Sequence, residues 1–396
     1  MVLYVPWRLP CGATALSRDE RKASVDRGER MKVAAIVDRR EFDILSEEWN
    51  ALLCASAADT IFLTWEWVAA WLDAVCPHAR LLIITVRDAG GHLVAIAPFY
   101  ESRLRLMGLV GYRCLRTVGD TDTGAEYPDV IVRPEAAEHA LPLVARALLD
   151  ARERWDCIWV RNIADWTGAS ERLGRLFSCL PVYVRRQARS FSAVRLPADY
   201  DTYLGSLSAN ARSAIRRQAK RVASAGSVML LRCENRDELP VFLDRLFALH
   251  HQRWASIGEE GCFTRRPRMA DFYRRFAPVA MTKGWLRIWG LELDGAMHAV
   301  QYGYVYNGAL HQLQEGFDPS GVPGIGNVLR EHVFKECIRE SVREYDFLGE
   351  HTDHKARWGA QQRSGCDLFI GRRLLSTAPI FSVGISPTGR YLKPEE

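Results

Sequence analysis

Residues 309–358 read ALHQLQEGFDPSGVPGIG, then NVLREHVFKECIRES, then VREYDFLGEHTDHKARW. The order is an extended run, a loop with close glycines, an amphipathic helix, a short strand and a second helix. A glycine loop that opens a helix presents bare backbone N–H groups and the positive end of the helix dipole, a setting suited to a diphosphate. In this order it points to coenzyme A more than to a dinucleotide. Pro323-Gly324-Ile325-Gly326 reads equally well as an ordinary turn and helix start, because a lone Gly-x-Gly is a weak signal. The flanking segments therefore have to decide.

Upstream, WLRIWGLELDGAMHAVQYGYVYNGALHQLQEGF reads as three antiparallel strands. Asp294-Gly295 and Asn307-Gly308 are the turns between them, both favoured in tight hairpins. Helical patterns precede them at Ser208–Ala225, Asp237–Trp254 and Arg268–Thr282. A final strand pair is expected near Asp367–Arg372. The first half follows a related plan. Lys32–Val37 is a strand and Glu41–Leu53 a helix. Phe62-Leu63-Thr64-Trp65-Glu66-Trp67 opens another helix, with Trp67, Trp71, Leu72 and Val75 on a core-facing side. LLIITVR and HLVAIAPFYE flank Asp88-Ala89-Gly90-Gly91 as a hairpin. Strands are expected in LRLMGLVG and YPDVIV, a helix at Ala136–Arg152, and a buried strand in CIWVRNI.

Two halves built on one order point to a tandem duplication. The fold class expected is mixed α/β (α+β), two tandem domains each with a mainly antiparallel sheet flanked by helices. The divisions expected are an extension over 1–30, domains at 31–190 and 191–376, and a tail over 377–396. MKVAAIVD marks Met31 as an alternative start. The first half has Pro134-Glu135-Ala136-Ala137-Glu138 where the second has its glycine loop, and those acids would repel a diphosphate. Only the second half is expected to hold coenzyme A.

The 396 residues are 48% hydrophobic and 26% charged, an ordinary globular balance with net charge +5. That charge is too small to argue for nucleic-acid binding by itself. None of the ten cysteines is in C-x-x-C spacing, so neither a metal site nor a disulfide framework is expected, and a reducing cytoplasm is the simplest setting. No apolar run approaches the ~18 residues of a membrane span.

Strand, strand, strand, glycine loop, helix, strand, helix is also the order of the GNAT acyltransferase core. The chain more narrowly resembles the GNAT-like domain of CelD-type cellulose-biosynthesis proteins, which are related to the FemAB peptidyltransferases. The pieces that carry the resemblance are residues 62–67 with Trp71, Ser208 through Arg217, Gly316-Phe317-Asp318-Pro319, Pro323-Gly324, Tyr345-Asp346-Phe347-Leu348-Gly349 and Lys355-Ala356-Arg357-Trp358. The resemblance spans about residues 60–372. It implies tandem GNAT-like domains and an acyl donor, with the acceptor left open. The family's R/Q-x-x-G-x-G/A loop is altered here, with Gly at 321 and no Arg or Gln before the loop.

For the donor, Gly324, Ile325, Gly326, Asn327 and Lys355 are the candidate contacts. Acyl transfer also needs a polarised carbonyl and a base for the amine. In GNAT-like folds a backbone N–H at a splayed strand polarises the carbonyl. Here that strand is Leu310–Gly316, and Gly316 permits a bulge. Glu350 is the first candidate base and His351 the second, since both follow a strand at its carboxyl end. A solvated helix start capped by Asp353 is the plain alternative. His354 occupies a place where the family often has tyrosine. Asp346 is a candidate for the substrate site or a strand-end carboxylate bonded to backbone. Lys355 meets a phosphate or pairs with Asp346. Arg212, Arg216 and Lys220 share one helix face at i, i+4, i+8, with Arg217 and Arg221 nearby and no acid between Asp201 and Glu234. Such a run reads as a solvated face or as a site for an anionic partner. Tyr302, Tyr304 and Tyr306 alternate onto one side of a strand, either as core or, with Tyr304, as an acceptor-binding wall.

The leading reading is an N-acyltransferase that moves an acyl, most simply acetyl, group from acyl-coenzyme A to an amine on a sugar, polysaccharide precursor or small metabolite. The alternatives are a FemAB-like transferase using aminoacyl-tRNA and a non-catalytic module of an envelope-polysaccharide system.

Overall fold

The computed structural model describes residues 31–382 and 392–394; the expected extension over 1–30 lies outside them. The strands are β1 (Lys32–Ile36), β2 (Arg80–Arg87), β3 (Leu93–Leu106), β4 (Val110–Thr117), β5 (Ile131–Val132), β6 (Cys157–Ala164), β7 (Val182–Arg195), β8 (Val228–Arg232), β9 (Leu286–Leu293), β10 (Ala296–Tyr306), β11 (Ala309–Phe317), β12 (Glu344–Asp346), β13 (Gln361–Arg372) and β14 (Leu392–Pro394). They form one sheet in the order β1-β2-β3-β4-β6-β13-β7-β12-β11-β10-β9-β8, with β5 and β14 against β3. The helices that shape the site are α1 (Trp65–Ala74), α2 (Ala137–Asp150), α3 (Ala209–Ala223), α4 (Leu239–Ala255), α5 (Arg268–Thr282) and α6 (Ile325–Arg339).

Each half contains one parallel strand pair in an otherwise antiparallel run. β4 pairs with β6 across the α2 crossover, and β11 pairs with β12 across the α6 crossover. The mixed, mainly antiparallel sheet expected from the sequence is present. The halves also exchange their last strands. β13, late in the chain, lies between β6 and β7, while β7 pairs on its other side with β12. The division expected at 190/191 thus falls inside β7, and the sheet runs through it.

The core follows from the apolar periods. Trp67 and Trp71 are fully buried, and Trp67 packs on Phe272, Phe276 and Tyr304. One large cluster therefore joins α1 of the first half to α4, α5 and β10 of the second. Asp294 and Asn307 take positive φ at the two tight turns, each followed by a positive-φ glycine, as the hairpin chemistry requires.

Several local expectations are corrected. Glu41–Leu53 is two helices, broken at Leu45. LRLMGLVG holds the turn between β3 and β4, with Met107 and Gly108 at positive φ. Only Ile131–Val132 of YPDVIV is strand. The expected strand pair near 367–372 is one strand, β13. Part of the expected tail is packed helix, Ala378–Ser382, with Ile380 buried against β4 and β6.

Candidate active site

The two parallel pairs are short, and each opens into a splay. β11 pairs with β12 only from Ala309↔Glu344 to His311↔Asp346, yet β11 continues to Phe317. On its other side the register with β10 shifts between Tyr302 and Gly303, leaving Leu313 as the extra residue of a bulge. The bulge falls within the expected Leu310–Gly316 segment, and Gly316 has a separate duty. A Cβ there would lie 2.7 Å from the His250 nitrogen of α4. β4 pairs with β3 without a register shift, so the first half lacks this device.

Ionised and hydrogen-bonding groups fill the second splay. Asp346 accepts the Tyr127 hydroxyl at 2.8 Å and the Leu348 N–H at 2.9 Å. His311 Nδ1 stands 3.5 Å from Asp346 Oδ2, an ion-pair distance without a formed hydrogen bond. Deeper, Arg330 of α6 forms a buried ion pair with Glu315 and reaches Asn327 Oδ1 and His354 Nε2, each at 3.1 Å. Its guanidinium lies near the rings of Phe347 and Trp358. Each of these two buried groups would be costly without the other.

Lys355 does not pair with Asp346. Its ammonium donates to the Leu348 carbonyl and, at 2.8 Å, to the Glu350 carbonyl, fastening the 348–350 loop. Burial pulls its pKa below the usual range against the pull of Glu126 and Asp346. Glu350 is exposed at the mouth of the splay. His351 Nδ1 meets Ser192 Oγ at 2.8 Å, and its own N–H donates to Ser190 Oγ. Thr352, not Asp353, caps the following helix Asp353–Arg357.

At the start of α6, Gly324 is the N-cap with φ 97°. A Cβ on Gly324 would meet Gln218 of α3 at 2.9 Å, and one on Gly326 would meet the Phe317 ring at 2.9 Å. Both glycines are thus demanded by packing. The N–H groups of Gly326 and Asn327 have no acceptor among the described residues, while those of Ile325 and Val328 bond to Val322 and Gly324 carbonyls. The Ile325 side chain is core, only 1% exposed, so only its backbone faces the loop. Tyr304 is likewise fully buried beside Tyr302 and corrects its placement on an acceptor wall.

The basic face of α3 borders an open groove of about 380 Å³ lined by Ala209, Arg212, Ser213, Arg216, Arg217 and Lys220. Arg212 is half-committed, donating to the Gly205 and Leu207 carbonyls. Arg216, Arg217 and Lys220 are exposed and meet no carboxylate among the described residues. Gln218 of the same helix lies beside Gly324, on the side of α3 opposite the groove residues.

Glu126, Tyr127 and Arg161 carry no motif and escape sequence reading. The loop after β4 brings the first two beside Asp346. Glu126 lies close enough to feel both Asp346 and Lys355; burial, then the Asp346 charge, pushes its pKa up to about 8. Among the described residues no group of His, Cys, Asp and Glu could hold a metal ion, and no helix is long and apolar enough to cross a membrane.

Comparison with known proteins gives the class. Residues 209–356 match the acetyltransferase (GNAT) domain family. With the sheet described above, this makes the chain an acyltransferase enzyme with a GNAT domain. No curated protein sequence matches it. Among solved structures, FemX has 12% identity and TM-score 0.59, covering 89% of this chain and 99% of that one. The C-terminal domain of a putative lysylphosphatidylglycerol synthetase from Agrobacterium fabrum has 11% identity and TM-score 0.51, covering 88% and 99%. L-PGS from Bacillus licheniformis has 11% identity and TM-score 0.50, covering 85% and 94%. At these identities the likeness is one of fold.

Proposed function

We propose that the protein is an N-acyltransferase whose donor is an acyl-coenzyme A held in the second splay and whose acceptor is an amine entering from the face shared by the two halves. The observation that carries this reading is the bulge at Leu313 beside the opening between β11 and β12. A bulge turns backbone polar groups out of the ladder, where an N–H can polarise a thioester carbonyl.

The donor fits the loop in two respects and meets one obstacle. The free Gly326 and Asn327 N–H groups sit at a helix N-terminus, suited to phosphate oxygens. Arg216, Arg217 and Lys220, on the other side of α3 from Gln218, add positive charge to the approach rather than contacts at the loop. Against these stands Asp318, whose carboxylate is held low by Ser320; His298 lies 3.1 Å from it and offsets its charge when protonated. In this reading Glu350 and His351 stand at the mouth, where they relay the acceptor's proton to water, and Lys355 shapes the loop between them and Asp346. An acetyl group is the simplest acyl cargo. A sugar amine, a polysaccharide precursor and a small metabolite are the acceptor classes in view.

A second reading is favoured by one specific observation, the groove along α3. Its unpaired cations would serve equally for the phosphates of a charged tRNA in an aminoacyl transfer, and the fold likeness to FemX over nearly its full length agrees with that chemistry. Thermal shift separates the two. Stabilisation by acetyl-coenzyme A and coenzyme A but not by tRNA supports the first reading. Stabilisation by aminoacyl-tRNA alone transfers the assignment to the second, and a null result with both rejects each.

A further inference from the structure

The first half has its own splay. β4 and β6 pair in parallel only over Cys114↔Cys157 to Arg116↔Trp159, and beyond that point they part around a cavity of about 20 Å³. Thr117 and Val118 line one side, Arg161 and Asn162 the other, and Phe62, Asp120 and Glu126 close it. A space of that size holds one water-sized group. Two of its walls carry enclosed polar atoms without partners: Glu126 Oε2 and Arg161 Nε. Arg161 makes no ion pair among the described residues and stacks over Trp159, with Cζ 5.0 Å from the ring centroid. The neighbouring charges are already committed. Asp120 pairs with Arg116 and accepts the Tyr100 hydroxyl, and Asp367 is taken by Arg189 and the Asn162 N–H. An enclosed guanidinium nitrogen and an enclosed carboxyl oxygen, on side chains otherwise half-buried, that face one cavity without meeting each other are costly unless a ligand satisfies both.

We propose that this cavity is the acceptor subsite and that it seats the ammonium of an amine bearing a carboxylate, as in an α-amino acid head group, with Glu126 taking the ammonium proton and the half-buried Arg161 binding the carboxylate at the cavity's mouth. The inference rests on the acyltransferase reading above and names its acceptor class. The ammonium is water-sized and suits the cavity; the acceptor's remaining bulk extends toward the face between the halves. The loop from Gly119 to Val130 connects this subsite to the donor splay. Tyr127, next to Glu126, bonds to Asp346, and Gly349 offers its N–H to the Glu126 carboxyl. The groups that act on Glu126 are Asp346, which opposes its charge, and Arg161, Lys355 and the Gly349 N–H, which favour it.

The transfer balances as follows. The ammonium gives one proton to the Glu126 carboxylate. The freed amine nitrogen bonds to the thioester carbonyl carbon, and the C–S bond breaks. The second amine proton leaves with the thiolate as coenzyme A thiol, and Glu126 returns its proton to water. The products are an amide, the thiol and one proton. Burial matches Glu126 to this role, since a base near pH 8 exchanges protons with an amine more evenly than an ordinary carboxylate does.

The test uses the full chain, a set of acyl-coenzyme A donors, and the twenty amino acids alongside their amides and decarboxylated amines, with products read by mass spectrometry. Donor affinity is measured separately by calorimetry. The expected result is acylation of the carboxylate-bearing member of at least one trio, at least tenfold faster than either relative. Arg161→Gln should erase that preference at unchanged donor affinity, with Arg161→Lys restoring part of it. Equal acylation of acid, amide and amine, retention of the preference in both Arg161 variants, or acylation of no carboxylate-bearing amine while a donor binds overturns the proposal. If no donor binds, it is the acyltransferase reading that fails. The subsite is then judged by whether amino acids stabilise the wild type but not Arg161→Gln, and absence of that difference overturns it.

Discussion

The Tyr127 hydroxyl donates to Asp346 Oδ2 at 2.8 Å, joining the loop after β4 to the end of β12 across the two halves. Both residues are buried, 5% and 2% exposed. The carboxylate also holds the Leu348 N–H and faces His311, so one side chain sets the geometry where the two splays meet.

Tyr127→Phe removes only that hydroxyl. A hydrogen bond to a charged group contributes about 1.5–3 kcal/mol, so the variant should lose about that much stability in a urea titration, with a lower midpoint and an unchanged m-value. The rate of transfer should fall mainly through KM for the acceptor, because the donor loop is untouched. A stability equal to wild type would show that water replaces the hydroxyl.

Gly326→Ala brings a Cβ to 2.9 Å from the Phe317 ring. The variant should be destabilised, and Phe317→Leu in the same chain should recover most of the loss by making room. Coenzyme A affinity is then measured by calorimetry in the double variant. Wild-type affinity there assigns Gly326 to packing alone. Affinity that stays low assigns it also to close approach of the donor.

Arg216, Arg217 and Lys220 form a cleaner test of the α3 face than a set that includes Arg212, which also caps the preceding turn through the Gly205 and Leu207 carbonyls. Changing the three to Gln should weaken the anionic donor and flatten the dependence of its affinity on salt. A merely solvated face predicts unchanged affinity and slightly higher stability, since like charges at i, i+4 repel.

Legibility in the sequence followed physical cause. The hairpins at Asp294-Gly295 and Asn307-Gly308, the crossover α6 and the tryptophan-lined α1 were readable because turn chemistry and apolar period act locally. β7 was not. Its Arg185, Arg186 and Arg189 break any strand pattern, and they are tolerated because partners arrive from far along the chain: Asp165 for Arg186, Asp367 for Arg189, and the Ile380 and Phe381 carbonyls for Arg185. The strand exchange of β7 and β13 is invisible for the same reason, since both neighbours of each strand are remote. At the site, Asp346, Lys355 and the basic helix follow from motif and charge. Glu126 and Arg161 do not, because what sets them apart is lack of a partner, a property of three-dimensional surroundings.

Glu126 also couples stability to pH. Its carboxyl titrates at about 8 in the folded protein against 4.5 as the reference value. The folded state therefore holds an extra proton between those values, and its stability should fall as pH rises through that window and level off above it. Glu126→Gln, a neutral mimic, should raise the melting temperature at pH 8.5 by a few degrees and change it little at pH 5. Equal shifts at both pH values would mean that Glu126 does not keep its proton on folding.

Kinetics distinguish the enclosed carboxyl from the exposed one. If Glu126 takes the acceptor's proton, Glu126→Gln should lower kcat by about 10²–10⁴-fold with donor affinity intact, and the loss should shrink at high pH, where more of the acceptor amine is already neutral. The wild-type kcat should rise with pH along a limb centred near 8, and that limb should vanish in Glu126→Gln. Glu350 faces water at the mouth of the splay, where solvent can replace a relay. Glu350→Gln should therefore reduce kcat by less than about tenfold, below the range of direct general-base catalysis, and leave the pH limb in place. The reverse pattern, a large loss with Glu350→Gln and a small one with Glu126→Gln, would return the base to the residues after β12 and leave Glu126 as part of the wall.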